Sequence, residues 1–159
     1  MSNLSTEPPF ILIVEDSEDD FEAMTQAFQK VPISSPFLRC RNGREALDYL
    51  KQEGLFQGTG KAERPGLILL DLNMPGIDGR KVLQFIKGDE RFKSIPVVIF
   101  TTSGSKGDIS ACYKSGANAY VQKPTAFEEM VQALRKFNGF WFETARLSDD
   151  GSGISPGKP

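Results

Sequence analysis

The 159-residue sequence contains no histidine, and that absence narrows its chemistry more than any other. Without an imidazole there is no Ser-His-Asp triad, no HExxH zinc site and no histidine general base. Cysteine is scarce: Cys40 and Cys112 stand 72 residues apart, with no metal-ligand spacing. Each reads as a small buried apolar residue. Long hydrophobic runs are missing too. The longest, Phe10–Val14, Leu67–Leu70 and Val97–Phe100, are far too short to cross a bilayer. The segment Met1–Phe10 carries no basic stretch of the kind that opens a signal peptide, so no membrane association and a cytoplasmic location are expected. Neither sign of charge dominates: 19 basic and 21 acidic residues leave a net charge of −2, which argues against a nucleic-acid-binding face. The remaining sources of chemistry are carboxylates, hydroxyls, a lysine or a partner protein.

What is present fits one domain, at roughly 150 residues per domain. Five short apolar runs predict strands over Ile11–Glu15, Phe37–Arg41, Leu67–Asp71, Val97–Phe100 and Ala119–Lys123. Three of them are unbroken apolar blocks, which suits strands covered on both faces. Between them apolar residues recur at helical spacing, as in Phe21, Met24, Phe28 and Val31, or Val82, Leu83 and Ile86. Capping-box pairs mark helix starts at Asn42 with Glu45 and Thr125 with Glu128, and more weakly at Ser17 with Asp20 and Ser105 with Asp108. Gly116 suits a left-handed helix stop. The alternation predicts an α/β fold, a doubly wound parallel sheet with helices on both faces and right-handed crossovers. Residues 10–147 form the expected domain, between a flexible N-terminus (1–9) and a disordered tail (148–159). Gly54–Pro65 reads as a polar, glycine-rich insertion.

In such a sheet, ligands bind beyond the carboxyl ends of the strands, near the point where strand order reverses. The strand ends carry Glu15 and Asp16, Asp71, Thr101 and Thr102, and Lys123 followed by Pro124. Taken singly, each has an ordinary explanation: acidic residues suit a helix start, Asp71 suits a turn, and a lone lysine is usually solvated. Their coincidence on one edge is what carries the signal. Converging carboxylates repel unless a cation neutralises them, and Mg²⁺ suits a site of few carboxylates plus phosphate. Lys123 adds a positive charge for a phosphoryl oxygen, and Thr101 a hydroxyl. The set favours carboxylate attack on a phosphoryl group.

The segments ILIVEDSEDD, LILLDLNMPGIDG, PVVIFTTSGS and GANAYVQKP resemble the CheY-like receiver domains of two-component response regulators, over about Phe10 to Phe140. The family's intervals from phosphoaspartate to hydroxyl residue and to lysine match Asp71 to Thr101 (30 residues) and Asp71 to Lys123 (52 residues). The resemblance implies a flavodoxin-like (βα)5 three-layer sandwich with strand order 2-1-3-4-5. It implies Asp71 as phosphoacceptor, and Asp16 as a direct Mg²⁺ ligand with Glu15 acting through water. Asn73 would offer its backbone carbonyl to the metal. Thr101 and Tyr120 become switch residues, and Lys123 pairs with the phosphoryl group, positioned by a cis bond to Pro124. Asn73 and Ser103 would tune dephosphorylation.

The insertion and a last helix continuing through Phe140–Leu147 resemble the phytochrome-associated single-domain (Rcp-type) regulators. That likeness implies a sensor histidine kinase as partner, with a phytochrome as one candidate. It also implies a homodimer through the fourth-helix, fifth-strand, fifth-helix face and the C-terminal extension. Trp141 with Phe137, Phe140 and Phe142 occupies too many helical faces for one core, so some of these rings are expected at a partner surface, with packing against the fourth helix as the alternative. Little chain follows Leu147 for an output domain, so signalling by protein–protein contact is expected. The protein would be no enzyme beyond its own phosphorylation and dephosphorylation. Two alternatives stay open: a phosphorylation-independent dimeric adaptor, and a Mg²⁺-dependent phosphohydrolase. Asn73 weighs against the latter, because it stands where such enzymes place a second carboxylate. A flavin module is disfavoured by the acidic first loop, which would repel a flavin phosphate.

Overall fold

The structure, a computed structural model, describes residues 9–56 and 64–148; all but the inner end residue of the expected flexible start (1–9) and of the expected disordered tail (148–159) lie outside them. Five strands alternate with five α-helices: β1 (Ile11–Val14), α1 (Glu18–Phe28), β2 (Phe37–Cys40), α2 (Gly43–Lys51), β3 (Leu67–Leu70), α3 (Gly79–Gly88), β4 (Val97–Thr101), α4 (Lys106–Lys114), β5 (Ala119–Gln122) and α5 (Phe127–Asn138). The strands form one sheet in the order β2-β1-β3-β4-β5, every neighbouring pair parallel. This is the flavodoxin-like 2-1-3-4-5 sheet, in which the order of strand addition reverses between β1 and β3.

The unbroken apolar runs have a direct cause. Successive side chains on a strand point to opposite faces, and here both faces are covered. Leu12, Val14, Ile68, Leu70, Val97 and Ile99 pack against α2, α3 and α4. Their alternates Ile11, Ile13, Leu67, Leu69, Val98 and Phe100 pack against α1 and α5. Each fully buried Ile or Leu contributes on the order of 2 kcal/mol, so a polar residue in any central strand would be costly on either side. The edge strands are less covered: Phe37 and Leu38 on β2 are exposed, and β5 is half-buried over most of its length.

Three expected caps form. Ser17, Asn42 and Ser105 accept from the backbone N–H of Asp20, Glu45 and Asp108. The return bond of Glu45 goes to the Arg41 N–H, one residue before the cap. The expected cap at Thr125 does not form. α5 begins at Phe127, its N-cap is Ala126, and no side chain caps it; Thr125 lies one position too early to reach the free amides. Glu128 and Glu129 still place negative charge in the first turn, where the helix dipole favours it. Gly116 takes a φ of +103° after α4, the left-handed stop read from sequence. Gly79 is required for a different reason. A Cβ there would come within 2.0 Å of the Asp71 carbonyl oxygen, so only glycine lets α3 start this close to the end of β3.

The C-terminal segment departs from expectation. α5 stops at Asn138 and a π-helical turn follows over Gly139–Thr144, in place of a helix running to Leu147. The wider turn has its own contacts: the buried Asn138 amide donates to Glu143 at 3.1 Å and the Thr144 hydroxyl donates to the Gly139 carbonyl at 2.7 Å. It also re-aims the rings. Phe137 is buried in the α1/α5 layer and Trp141, Phe142 and Leu147 are partly buried against it, where packing against α4 was the expected intramolecular alternative. Phe140 alone of the four aromatic residues is largely exposed, at 54%. The Gly54–Pro65 segment opens with a 3₁₀ turn at Gly54–Phe56, where Phe56 meets the edge of Tyr49 with ring centroids 5.1 Å apart. Residues 57–63 lie outside the described part.

Candidate functional site

The carboxyl ends of β1, β3, β4 and β5 bring the expected residues together. Backbone bonds set the edge: the Asp71 N–H donates to the Val14 carbonyl (3.1 Å), Glu15 N–H to Cys40 (3.0 Å) and Lys123 N–H to Thr101 (2.7 Å). Glu15, Asp16 and Asp71 each present a carboxylate oxygen, all within 4.8 Å of one another. Glu15 and Asp71 are buried. The Lys123 ammonium enters this group and contacts Glu15 at 2.5 Å, Asp20 at 2.8 Å and Asp71 at 3.2 Å. The Lys123–Pro124 bond is trans, since no cis peptide occurs among the described residues. The expected cis placement of the lysine is therefore wrong, and β5 pairing with the three carboxylates places it instead.

The electrostatics follow from crowding acids in a dry site. Burial raises the Glu15 carboxyl from 4.5 to about 7; Lys123 opposes that rise and Asp71 adds to it. For Lys123 burial disfavours the charge, but hydrogen bonds to Asp20 and Glu15 and attraction to Glu15 and Asp71 outweigh it and raise its pKa. Thr101 is fully buried, and its hydroxyl is the one buried side-chain polar atom among the described residues with no hydrogen-bond partner. An unsatisfied buried hydroxyl costs about 1–3 kcal/mol, so an incoming acceptor would gain from it. These residues fit a hard divalent cation: oxygen donors, a net negative cluster, and a carboxyl that burial holds ready to exchange a proton for a cation.

Asn73 is exposed, and its N–H donates weakly to Asp71 Oδ1 at 3.4 Å. Tyr120 is half-buried on β5, its hydroxyl donating to the Ser103 carbonyl at 2.9 Å and its N–H to the Tyr113 hydroxyl at 3.1 Å. The Ser103 hydroxyl donates to Asp108 at 2.7 Å, and Asp108 accepts from Arg80 at 2.8 Å. The β4–α4 loop is thus tied to α3, α4 and β5 together. Cys40 behaves as the sequence suggested: burial pushes its thiol up to about 12, far from reactive.

Two residues at the site escaped the sequence reading. Asp20 was visible only as a weak cap partner for Ser17, in the acidic first turn of α1. Arg39 on β2 grips the Glu15 carbonyl with Nε (3.0 Å) and Nη2 (2.9 Å), reaches Glu18 with Nη1 (2.7 Å) and lies 4.4 Å over the Phe21 ring. Nothing in the local sequence points to that fork, because its partners lie 21 and 24 residues away.

A five-stranded 2-1-3-4-5 sheet thus carries an acid cluster, a buried hydroxyl and a lysine at its switch edge. Residues 11–135 match the family described as "Response regulator receiver domain", and the chain belongs to it. Among individual proteins it is similar to "Response regulator Rcp1" of Synechocystis sp., 37% identical over 147 residues, covering 92% of this chain and 98% of that one. Its structure is similar to that of the phosphorylated cyanobacterial phytochrome response regulator RcpA, with a TM-score of 0.80 and 36% identity, covering 89% and 99% of the two chains. It is equally similar to the Mn²⁺-bound form of response regulator Rcp1, with a TM-score of 0.80 and 35% identity, covering 89% and 99%. The chain is an Rcp1-like response regulator receiver. No helix among the described residues is long and apolar enough to cross a membrane.

Proposed function

We propose that this receiver accepts a phosphoryl group from a sensor histidine kinase onto Asp71 in a Mg²⁺-dependent reaction, and signals by protein–protein contact. The observation that carries this reading is a buried Asp71 carboxylate hydrogen-bonded by Lys123 at 3.2 Å, with an unpartnered buried hydroxyl on the neighbouring strand. An Asp71 carboxylate oxygen attacks phosphorus, the bond from phosphorus to the donor's leaving atom breaks, and the leaving group keeps that electron pair. Lys123 holds a transferred phosphoryl oxygen, and Thr101 donates its hydroxyl to another. Asp16, Asp71, the Asn73 carbonyl and Glu15 would hold the cation, which when bound neutralises charge on the phosphoryl oxygens. The Mn²⁺-bound relative supports a divalent ion here. With no histidine in the chain, the phosphohistidine must come from a partner, and the chain catalyses only its own phosphorylation and dephosphorylation.

The movement of Thr101 and Tyr120 on phosphorylation would reach the β4–α4 loop through the Tyr120–Ser103 bond. That makes a local charge change bias a two-state element. The relatives' phytochrome association supports a phytochrome as the cognate kinase. We place the homodimer contact on α4, β5 and α5, with Phe140 as the exposed ring at its C-terminal margin, and the protein in the cytoplasm. The test is intact mass after incubation with phosphoramidate, with and without Mg²⁺. The expected result is one added phosphoryl group, dependent on Mg²⁺ and absent in Asp71→Asn. No addition under any donor would favour the phosphorylation-independent adaptor, and sustained turnover of a small phosphate ester would favour the phosphohydrolase.

A further inference from the structure

Asp20 lies outside the group of carboxylates able to share a cation, yet it makes one of the three contacts of Lys123. An ammonium has three N–H donors, and here they meet Glu15, Asp20 and Asp71. Every donor of Lys123 is therefore committed in the unphosphorylated protein. Glu15 and Asp71 are buried partners, whereas the Asp20 side chain is 42% exposed against 4% for Lys123, so Asp20 holds the ammonium from the solvent side. Its place is fixed locally: the Asp20 N–H donates to the Ser17 hydroxyl at 3.1 Å, anchoring the first turn of α1.

We propose that Asp20 is a positioning residue that acts as a brake on phosphorylation of Asp71, by pairing with Lys123 and by adding negative charge at the mouth of the site. The inference rests on the phosphoacceptor reading above. Converting the Asp71 carboxylate to an acyl phosphate adds about one further negative charge near neutral pH, and that charge draws on the same ammonium. Asp20 opposes the change twice: it stabilises Lys123 before phosphorylation and repels the phosphoryl group after it. Both effects have one sign. Asp20 is open to solvent, so its charge is partly screened by salt even though Lys123 is buried, and the brake weakens as ionic strength rises. Because Asp20 does not belong to the cation cluster, its effect persists when the cation is saturating.

The experiment measures the phosphorylated fraction by intact mass against acetyl phosphate concentration, at saturating Mg²⁺ and at low and high ionic strength. It compares the parent with Asp20→Asn, which keeps shape and loses charge, and Asp20→Glu, which keeps charge. Asp20→Asn is expected to reach half-phosphorylation at about three- to tenfold lower donor concentration at low salt, with the gap narrowing at high salt. Asp20→Glu is expected to follow the parent. An Asp20→Asn curve superimposed on the parent's, or displaced to higher donor concentration, overturns the brake. So does a gap insensitive to salt, or an Asp20→Glu protein behaving like Asp20→Asn. A parent that takes up no phosphoryl group overturns the phosphoacceptor reading itself, and the role of Asp20 with it.

Discussion

The metal-free protein should lose stability as pH rises, and Glu15 is the reason. Its side chain is only 1% exposed, and burial raises its carboxyl from 4.5 to about 7. Between those values the folded protein keeps a proton that the unfolded chain has released. The contribution is therefore fully present below about pH 4.5 and is lost as pH climbs through about 7. At about 1.4 kcal/mol per tenfold change in affinity for the proton, the full interval is worth roughly 3 kcal/mol, and the span from pH 5 to 8 about 2–3 kcal/mol. The assay is equilibrium urea unfolding in EDTA across that range, for the parent and for Glu15→Gln, whose amide cannot titrate. Subtracting the two curves removes the titration of every other group. The parent is expected to lose about 2–3 kcal/mol relative to the variant between pH 5 and 8. Saturating Mg²⁺ should flatten the slope, because the cation replaces the proton. A parent–variant difference that does not change with pH, or that moves in the parent's favour as pH rises, refutes the reasoning.

Arg39→Met keeps an apolar stem but removes the fork on Glu15 and the reach to Glu18. Loss of these charge-assisted bonds should cost about 2–3 kcal/mol in urea unfolding, and a loss under about 0.5 kcal/mol would show that the fork is idle. Ser103→Glu brings a carboxylate beside Asp108 in place of a donating hydroxyl. It should change the rate at which phosphorylated protein decays, as followed by intact mass, and identical decay in both proteins would rule out a role for this position. Trp141 packs on the α1/α5 layer, so Trp141→Ala should lower thermal stability, by about 1–3 kcal/mol for a half-buried ring, while leaving self-association unchanged. Phe140→Ser should do the reverse, weakening self-association in sedimentation with little effect on melting. If Trp141→Ala is the change that dissociates the protein, the placement of the interface is wrong.

The layers were legible because each strand carries its own evidence. Leu67–Leu70 and Val97–Phe100 are apolar at every position, which only a strand covered on both faces tolerates, and strand boundaries fell within one residue of those read from the runs. Asp71, Thr101 and Lys123 were legible for a related reason: a charged or hydroxyl residue directly after an apolar strand stands at the sheet edge whatever the helices do. Local reading failed where one residue of offset decides the outcome. Thr125 has the composition of a cap, but α5 starts one residue too late for it. Asp20 looked like a helix-start residue, and it is one; that its side chain also reaches Lys123, 103 residues on, could not be read from neighbours in sequence. The C-terminal aromatic residues are more than one core buries, as Phe140 shows by staying exposed, but which of them is left over could not be read from helical spacing. The π-helical turn at Gly139–Thr144 turns Trp141 and Phe142 inward.

By itself the sequence determined the α/β alternation, the edge on which polar residues collect and the absence of any histidine, because all three follow from residue type and from periods of two and 3.6 along the chain. Only the tertiary structure decided which carboxylates hold Lys123, which hydroxyl is left unpartnered, and which aromatic ring faces solvent. Those outcomes depend on distances of a few ångströms between residues far apart in sequence, and burial then turns such distances into the raised pKa of Glu15 and the committed donors of Lys123.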